Sequence, residues 1–433
     1  MNKIKFFPIF SVATILALEE AIESQVDEVV IGNVFDDVAF GAINLIQPYM
    51  TLVNYVSYLI CVGGAALIVR ASGENNRQKM SAIFSHCISC CVVAGALFFI
   101  VYMLFSKQLI DLVAAGTEQY EFCVQVYFWQ CFYASVFPLC VFLQTYVLYR
   151  GAYILVGAST LMCIICNPLL SLFLGTRIGI GGVMLATVII NIIEIMLMSS
   201  FLISERHGLT FSPGIDLRLT KKIFLLGLGE SAIFLAATIM EASVNSAAVS
   251  RYRTGGLVVV AIVINLIEMV MYVSEGISEY ETVSINEYIG RKDMDMIRYS
   301  IKTTIKAAVI EGALFSLVFL LGSRHIISVF DIKDAETVEY AIRAIRIISL
   351  VPIVVCLIRI IAIFYQYTER INRTILLFLS AWGILPSLCG WILGGVSLEM
   401  MVAGLVCGNA LALLLLLIYV KLIKREELFA VKL

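Results

Sequence analysis

The stretch LALEEAIESQVDEVVIG, residues 16–32, decides how this chain is read. It continues an apolar run from Phe6, yet carries Glu19, Glu20, Glu23 and Asp27. At about 100° per helical residue, these four carboxylates fall within an arc of roughly 100°. Ionisable groups at membrane depth are costly and normally face a bundle interior or a water-filled cavity, where they mark ion or substrate paths. The arc therefore reads as one wall of a cation or proton site.

The rest of the chain supplies the membrane context. Of 433 residues, 61% are hydrophobic and 14% charged, against about 25% charged in soluble domains. A span needs roughly 20 apolar residues. Twelve are predicted, at 6–33, 40–69, 80–105, 120–149, 152–174, 179–204, 219–249, 257–288, 300–321, 338–367, 373–394 and 400–421. With both termini in the cytoplasm of a cell (inner) membrane protein, twenty of the thirty Lys and Arg fall in cytoplasmic segments and six in outer loops. That bias is the positive-inside pattern. No cleavable signal peptide is expected, because the first apolar run is too long and lacks a small-residue cleavage site.

The chain divides at a polar linker, 205–220, into an N-lobe (1–204) and a C-lobe (221–433). AINLIQPYM at 42–50 matches VINLIEMVM at 263–271, each leading into a basic turn. Pro138 and Pro352 recur in the fourth span of each half. Six spans per half make the repeats parallel, one of the recurrent transporter plans. The expected fold is an all-α polytopic membrane protein, with twelve transmembrane helices in two parallel six-helix repeats around a central cavity.

These motifs carry a resemblance. QVDEVVIG (25–32), GGAALIVRASGENN (63–76), Tyr149-Arg150-Gly151, Asn167-Pro168 with GIGGVMLATV (179–188), and EGISEYETVSINEYIGRKD (275–293) occur in an order that resembles multidrug and toxic compound extrusion (MATE) transporters. The resemblance implies an exporter of small organic compounds, cationic ones or drugs, coupled to H⁺ or Na⁺ by alternating access. The alternative is a flippase for lipid-linked substrates of the same superfamily. Carried over, the N-lobe ion-coupling set is Asp27, Cys163, Asn167 and Thr187. Here Cys163 stands for an Asn and Asn167 for a common Asp, and the proline usual near position 19 is missing.

Glu23 and Asp27, four residues apart, and Glu20 join that set on geometry. In the C-lobe, Glu241, Glu268 and Arg359 are candidate substrate or polar-network residues, with Glu241 or Glu268 expected to neutralise Arg359. Glu230 and Glu275 belong to the same polar set. The twelve cysteines read as small apolar residues, so no metal site, disulfide framework or cofactor is expected beyond the coupling ion. HExxH and GxSxG are absent from the sequence, and no enzyme is expected. The expected partners are a small cationic substrate and membrane lipid, with no nucleic acid, and a monomer suffices.

Overall fold

A computed structural model describes residues 4–19, 37–204, 212, 214–329, 334–368 and 370–422. The first helix, α1, runs Phe6–Glu19. It is followed by α2 (Asp37–Gly73), α3 (Arg77–Leu104), α4 (Ser106–Ala114), α5 (Tyr120–Tyr149), α6 (Tyr153–Ile178) and α7 (Gly181–Ser204). Helix α8 (Leu217–Gly290) leads to α9 (Met294–Val329), α10 (Ala335–Ile348), α11 (Val351–Tyr367), α12 (Ile371–Phe378), α13 (Leu385–Leu393) and α14 (Leu398–Leu422). Contacts divide the chain into two units, Met1–Gly227 and Leu228–Leu433.

Among the described residues, ten helices are long and apolar enough to cross a membrane, or eleven if the bent pair α10–α11 counts as one. The protein is thus an all-helical multi-span membrane protein. The predicted first span extends past Glu19 into residues outside the description. The predicted loop at 250–256 is corrected, because the helical pattern of α8 continues through it. Arg251 and Tyr252 anchor this stretch by donating to the Trp391 and Gly394 carbonyls, and the Arg251 guanidinium lies 4.9 Å from the Trp391 ring centroid.

The two recurrent prolines behave differently. Pro138 sits inside an unbroken α5, whereas Pro352 opens α11 at a 45° bend. A proline lacks the N–H and crowds the carbonyl four residues back. The same crowding accounts for a π-helical segment, Leu379–Ile384, immediately before Pro386 at the start of α13. A wider turn there relieves the clash with the Trp382 carbonyl.

The turns after α2 and α8 share one pattern of backbone bonds, which also closes α5. After α2, the Asn75 and Asn76 amides donate to the Ser72 and Ala71 carbonyls. After α8, the Lys292 and Asp293 amides donate to the Ile289 and Tyr288 carbonyls, the same 5→2 and 6→1 pattern. Both are Schellman turns. Asn76 caps α3 by accepting from the Lys79 amide at 2.9 Å, and Asp293 accepts from the Met296 amide at 3.1 Å. Asn75 and Lys292 take φ of 55° and 56°. Asn tolerates that left-handed region, but lysine is strained there by roughly 1–2 kcal/mol. Lys292→Gly is therefore expected to stabilise the protein by about 0.5–1 kcal/mol after glycine's larger unfolded-state entropy is counted. An unchanged or lowered apparent Tm in detergent would contradict that.

Helix packing in the first unit uses close approaches. A β-carbon on Gly63 would overlap the Ile223 carbonyl, so only glycine lets α2 meet the first turns of α8 this closely. Near the other end of α2, Tyr49, Tyr102 and Tyr127 pack with centroids 5.7–5.9 Å apart. Their hydroxyls donate to the Leu109, Tyr49 and Tyr102 carbonyls at 2.7, 2.9 and 3.3 Å. Buried tyrosines need such acceptors.

The segment leading to α8 is pinned to α3. The Ser212 amide donates to Ser85 Oγ at 3.1 Å, the Gly214 amide to Ser89 Oγ at 3.4 Å, and the Asp216 amide to His86 Nδ1 at 3.2 Å. His86 Nε2 meets Thr220 Oγ1 at 3.0 Å. His86 and the neighbouring Cys87, Cys90 and Cys91 are buried.

Candidate functional site

Helix α7 is apolar except for one stripe. Thr187, Asn191 and Glu194 recur at i, i+4 and i+7 and are all buried. The Asn191 amide donates to the Thr187 carbonyl at 2.8 Å. Helix α6 carries a matching stripe of Thr160, Cys163, Asn167 and Ser171, also buried. Each stripe faces protein because a polar side chain facing lipid would lose its hydrogen bonds.

The stripes converge on Glu194, which is 5% exposed. Gln144 Nε2 donates to its Oε1 at 2.7 Å, Ser159 Oγ to the same oxygen at 3.1 Å, and the Cys140 thiol to Oε2 at 3.5 Å. All three donors are neutral. Among the described residues, no Lys or Arg forms an ion pair with Glu194. Glu19, at the end of α1 and 8% exposed, brings a second carboxylate. Donor atoms of Glu19, Cys163 and Glu194 all lie within 4.8 Å of one another. Two acidic side chains this close inside an apolar bundle make a site suited to a cation.

Of the N-lobe residues expected from the sequence, Cys163 reaches this cluster. Asn167 lies one turn further along α6 and Thr187 about two turns from Glu194 on α7, both buried. Glu20, Glu23 and Asp27 lie outside the described residues. Sequence reasoning missed Glu194, Gln144, Ser159 and the role of Cys140. The available signal was a lone carboxylate in a helix of 24 residues that is otherwise nearly uncharged.

The C-lobe expectation needs correction. Arg359 is buried, and among the described residues the carboxylate at ion-pair distance from it is Glu275, not Glu241 or Glu268. Arg359 Nη2 lies 3.4 Å from Glu275 Oε2, and Nη1 donates to the Met271 carbonyl at 3.0 Å. Glu311 of α9 is within electrostatic reach of the guanidinium and accepts from the Cys356 thiol at 3.9 Å. Glu268 stands two turns before Glu275 on α8, half-buried, with an exposed Glu241 in electrostatic reach. Depth along α8 explains the difference: the guanidinium sits level with Met271–Glu275. The Glu230 side chain is outside the description. Glu281 is fully buried, and neither carboxyl oxygen finds a hydrogen-bond partner among the described residues.

Helical spans with buried carboxylates define a multi-span membrane protein with a polar interior, and comparison with known proteins narrows the class. The MatE family model matches residues 16–175. A Bacillus subtilis (strain 168) protein described as probable multidrug resistance protein YoeA is 23% identical over 321 residues, covering 70% of this chain and 68% of its own. A crystal structure of MATE in complex with MaL6 superimposes with TM-score 0.87 at 16% identity, over 99% of this chain and 96% of that one. An outward-facing multidrug resistance MATE family transporter of the MOP superfamily gives 0.81 at 15%, over all of both chains. A MOP superfamily transporter from Pyrococcus furiosus, described as having reversed binding-pocket polarity, gives 0.86 at 15%, over 99% and 96%. The chain has the fold of these MATE transporters, and residues 16–175 match the family's sequence model.

Proposed function

We propose that this transporter exports small cationic organic compounds, including drugs, in exchange for H⁺ or Na⁺, by alternating access and with both termini in the cytoplasm. The observation that carries the reading is the sign of the N-lobe interior. Glu194 accepts from three neutral donors and Glu19 lies buried beside it, with Cys163, Asn167 and Thr187 on the adjoining helices. An acidic interior of this kind attracts cations and repels anionic lipid-linked cargo. Fold does not decide cargo, and the Pyrococcus furiosus protein shares this fold with a pocket described as reversed in polarity. The name of the Bacillus subtilis relative agrees with drug export.

The mechanism follows from competition for carboxylates. A cation arriving from outside neutralises the acidic face around Asp27, which weakens the hold on a cationic substrate and releases it outward. The test is efflux of a fluorescent organic cation from proteoliposomes under separately imposed H⁺ and Na⁺ gradients. One gradient is expected to drive efflux in the wild type, and Asp27→Asn to lower the driven rate at least tenfold. Undiminished driven efflux in Asp27→Asn would remove Asp27 from coupling. No movement under either gradient would overturn the reading.

A further inference from the structure

We propose that Glu19, Cys140, Cys163 and Glu194 form a binding site for a divalent transition-metal ion of borderline softness, such as Zn²⁺ or Co²⁺. The residues come from four helices, α1, α5, α6 and α7, and the sequence alone suggested no such site. Donor atoms of Glu19, Cys163 and Glu194 lie within 4.8 Å of each other. The Cys140 sulfur is 3.5 Å from Glu194 Oε2 and within electrostatic reach of Glu19 and Cys163.

The donor set selects the ion. Two thiols with two carboxylates suit Zn²⁺ and its neighbours. Ca²⁺ and Mg²⁺ want six or more oxygens, and sulfur serves them poorly. Tetrahedral bonds of about 2.0–2.3 Å hold ligand atoms roughly 3.3–3.8 Å apart. The widest separation therefore has to close by about an ångström, which glutamate rotamers can absorb. Glu194 is already oriented for the task. Gln144 and Ser159 occupy Oε1, which leaves Oε2 turned toward Cys140, the outer-shell support that fixes a ligand's lone pair. The neutral donors around Glu194 leave its charge for an ion to balance. Seven residues separate Glu194 from Thr187 on α7, about 10 Å along the helix, so the metal site shares Cys163 with the proposed coupling set but lies toward the other end of it. The metal site rests on the same buried Glu19, Cys163 and Glu194 as the transport reading, and it is measured without transport, so either can fail alone.

Binding replaces thiol protons with metal, so each Cys that ligates releases one proton and affinity rises with pH. The experiment is an anaerobic titration of the reduced, metal-stripped, full-length protein in detergent with Co²⁺ alone. A saturable one-to-one near-ultraviolet sulfur-to-cobalt charge-transfer band is expected, with visible bands of tetrahedral intensity and proton release in a weakly buffered sample. Cys163→Ser should cut the charge-transfer band by about half, and Cys140→Ser with Cys163→Ser should abolish it. Glu194→Gln should weaken binding at least tenfold. Helicity and elution volume check folding, and the single cysteine variants carry the test if Glu194→Gln misfolds. Absence of a saturable band overturns the proposal. So does a band that survives the double cysteine change, which would place the thiolate elsewhere, for instance beside His86 and Cys90.

Discussion

Replacing Arg359 by leucine destabilises the C-lobe by about 2–4 kcal/mol. Removing one member of a fully buried pair costs roughly 3–5 kcal/mol, because the other charge is stranded. The figure is lower here because Glu275 has 34% of its side chain exposed, against 4% for Arg359, and water recovers part of the loss. Glu311 adds to the effect, since it also loses a counter-charge. For a unit of about 200 residues, this corresponds to a fall of roughly 5–12 °C in apparent Tm. Arg359→Leu with Glu275→Leu should recover most of the loss. Arg359→Leu combined with Glu268→Leu should recover little, because Glu268 stands two turns away. If the second pair rescues and the first does not, the assigned partner is wrong.

Glu194→Ala is the second large effect, expected at about 3 kcal/mol. The change strands the Gln144 amide and the Ser159 hydroxyl in a buried place, each at about 1–3 kcal/mol before relaxation, and leaves space that the four helices fill incompletely. Glu194→Gln keeps the volume and one acceptor oxygen. Its cost is expected near 1 kcal/mol, since the new amide nitrogen meets donors where the carboxylate accepted from them. Thermal unfolding in detergent at fixed scan rate separates the two variants. Equal losses would mean that the packing volume, and not the hydrogen-bonded acceptor, matters at this position.

The membrane class and most spans were legible because an apolar run of membrane length would be insoluble as a surface helix and is longer than a soluble core needs. The repeat is an expectation from nine aligned residues and a basic turn. The matching Schellman bonds after α2 and α8 needed coordinates, since Asn75 and Lys292 share no chemistry. The helical passage through 250–256 was not legible, because Arg251, Arg253, Thr254 and Gly255 read as a loop. The partner of Arg359 escaped because Glu268 and Glu275 share a helical face, and sequence does not give depth against another helix. Glu194 escaped because the dense first-helix acids dominate the charge pattern, although a solitary carboxylate in an apolar span is the more expensive placement.

The pinning of residues 212–220 onto α3 determines where mutational tolerance lies. Ser212, Gly214 and Asp216 present main-chain N–H groups, which every residue except proline possesses. The recognition information is thus written on α3, in Ser85, His86 and Ser89, with Thr220 as the one reciprocal side chain. A library randomised over the linker should retain nearly all sequences that avoid proline at 212, 214 and 216, while the same library over the three α3 positions should collapse to a few. A segment docked in this way can therefore drift freely in sequence, and its docking survives because the receptor, not the strap, holds the code.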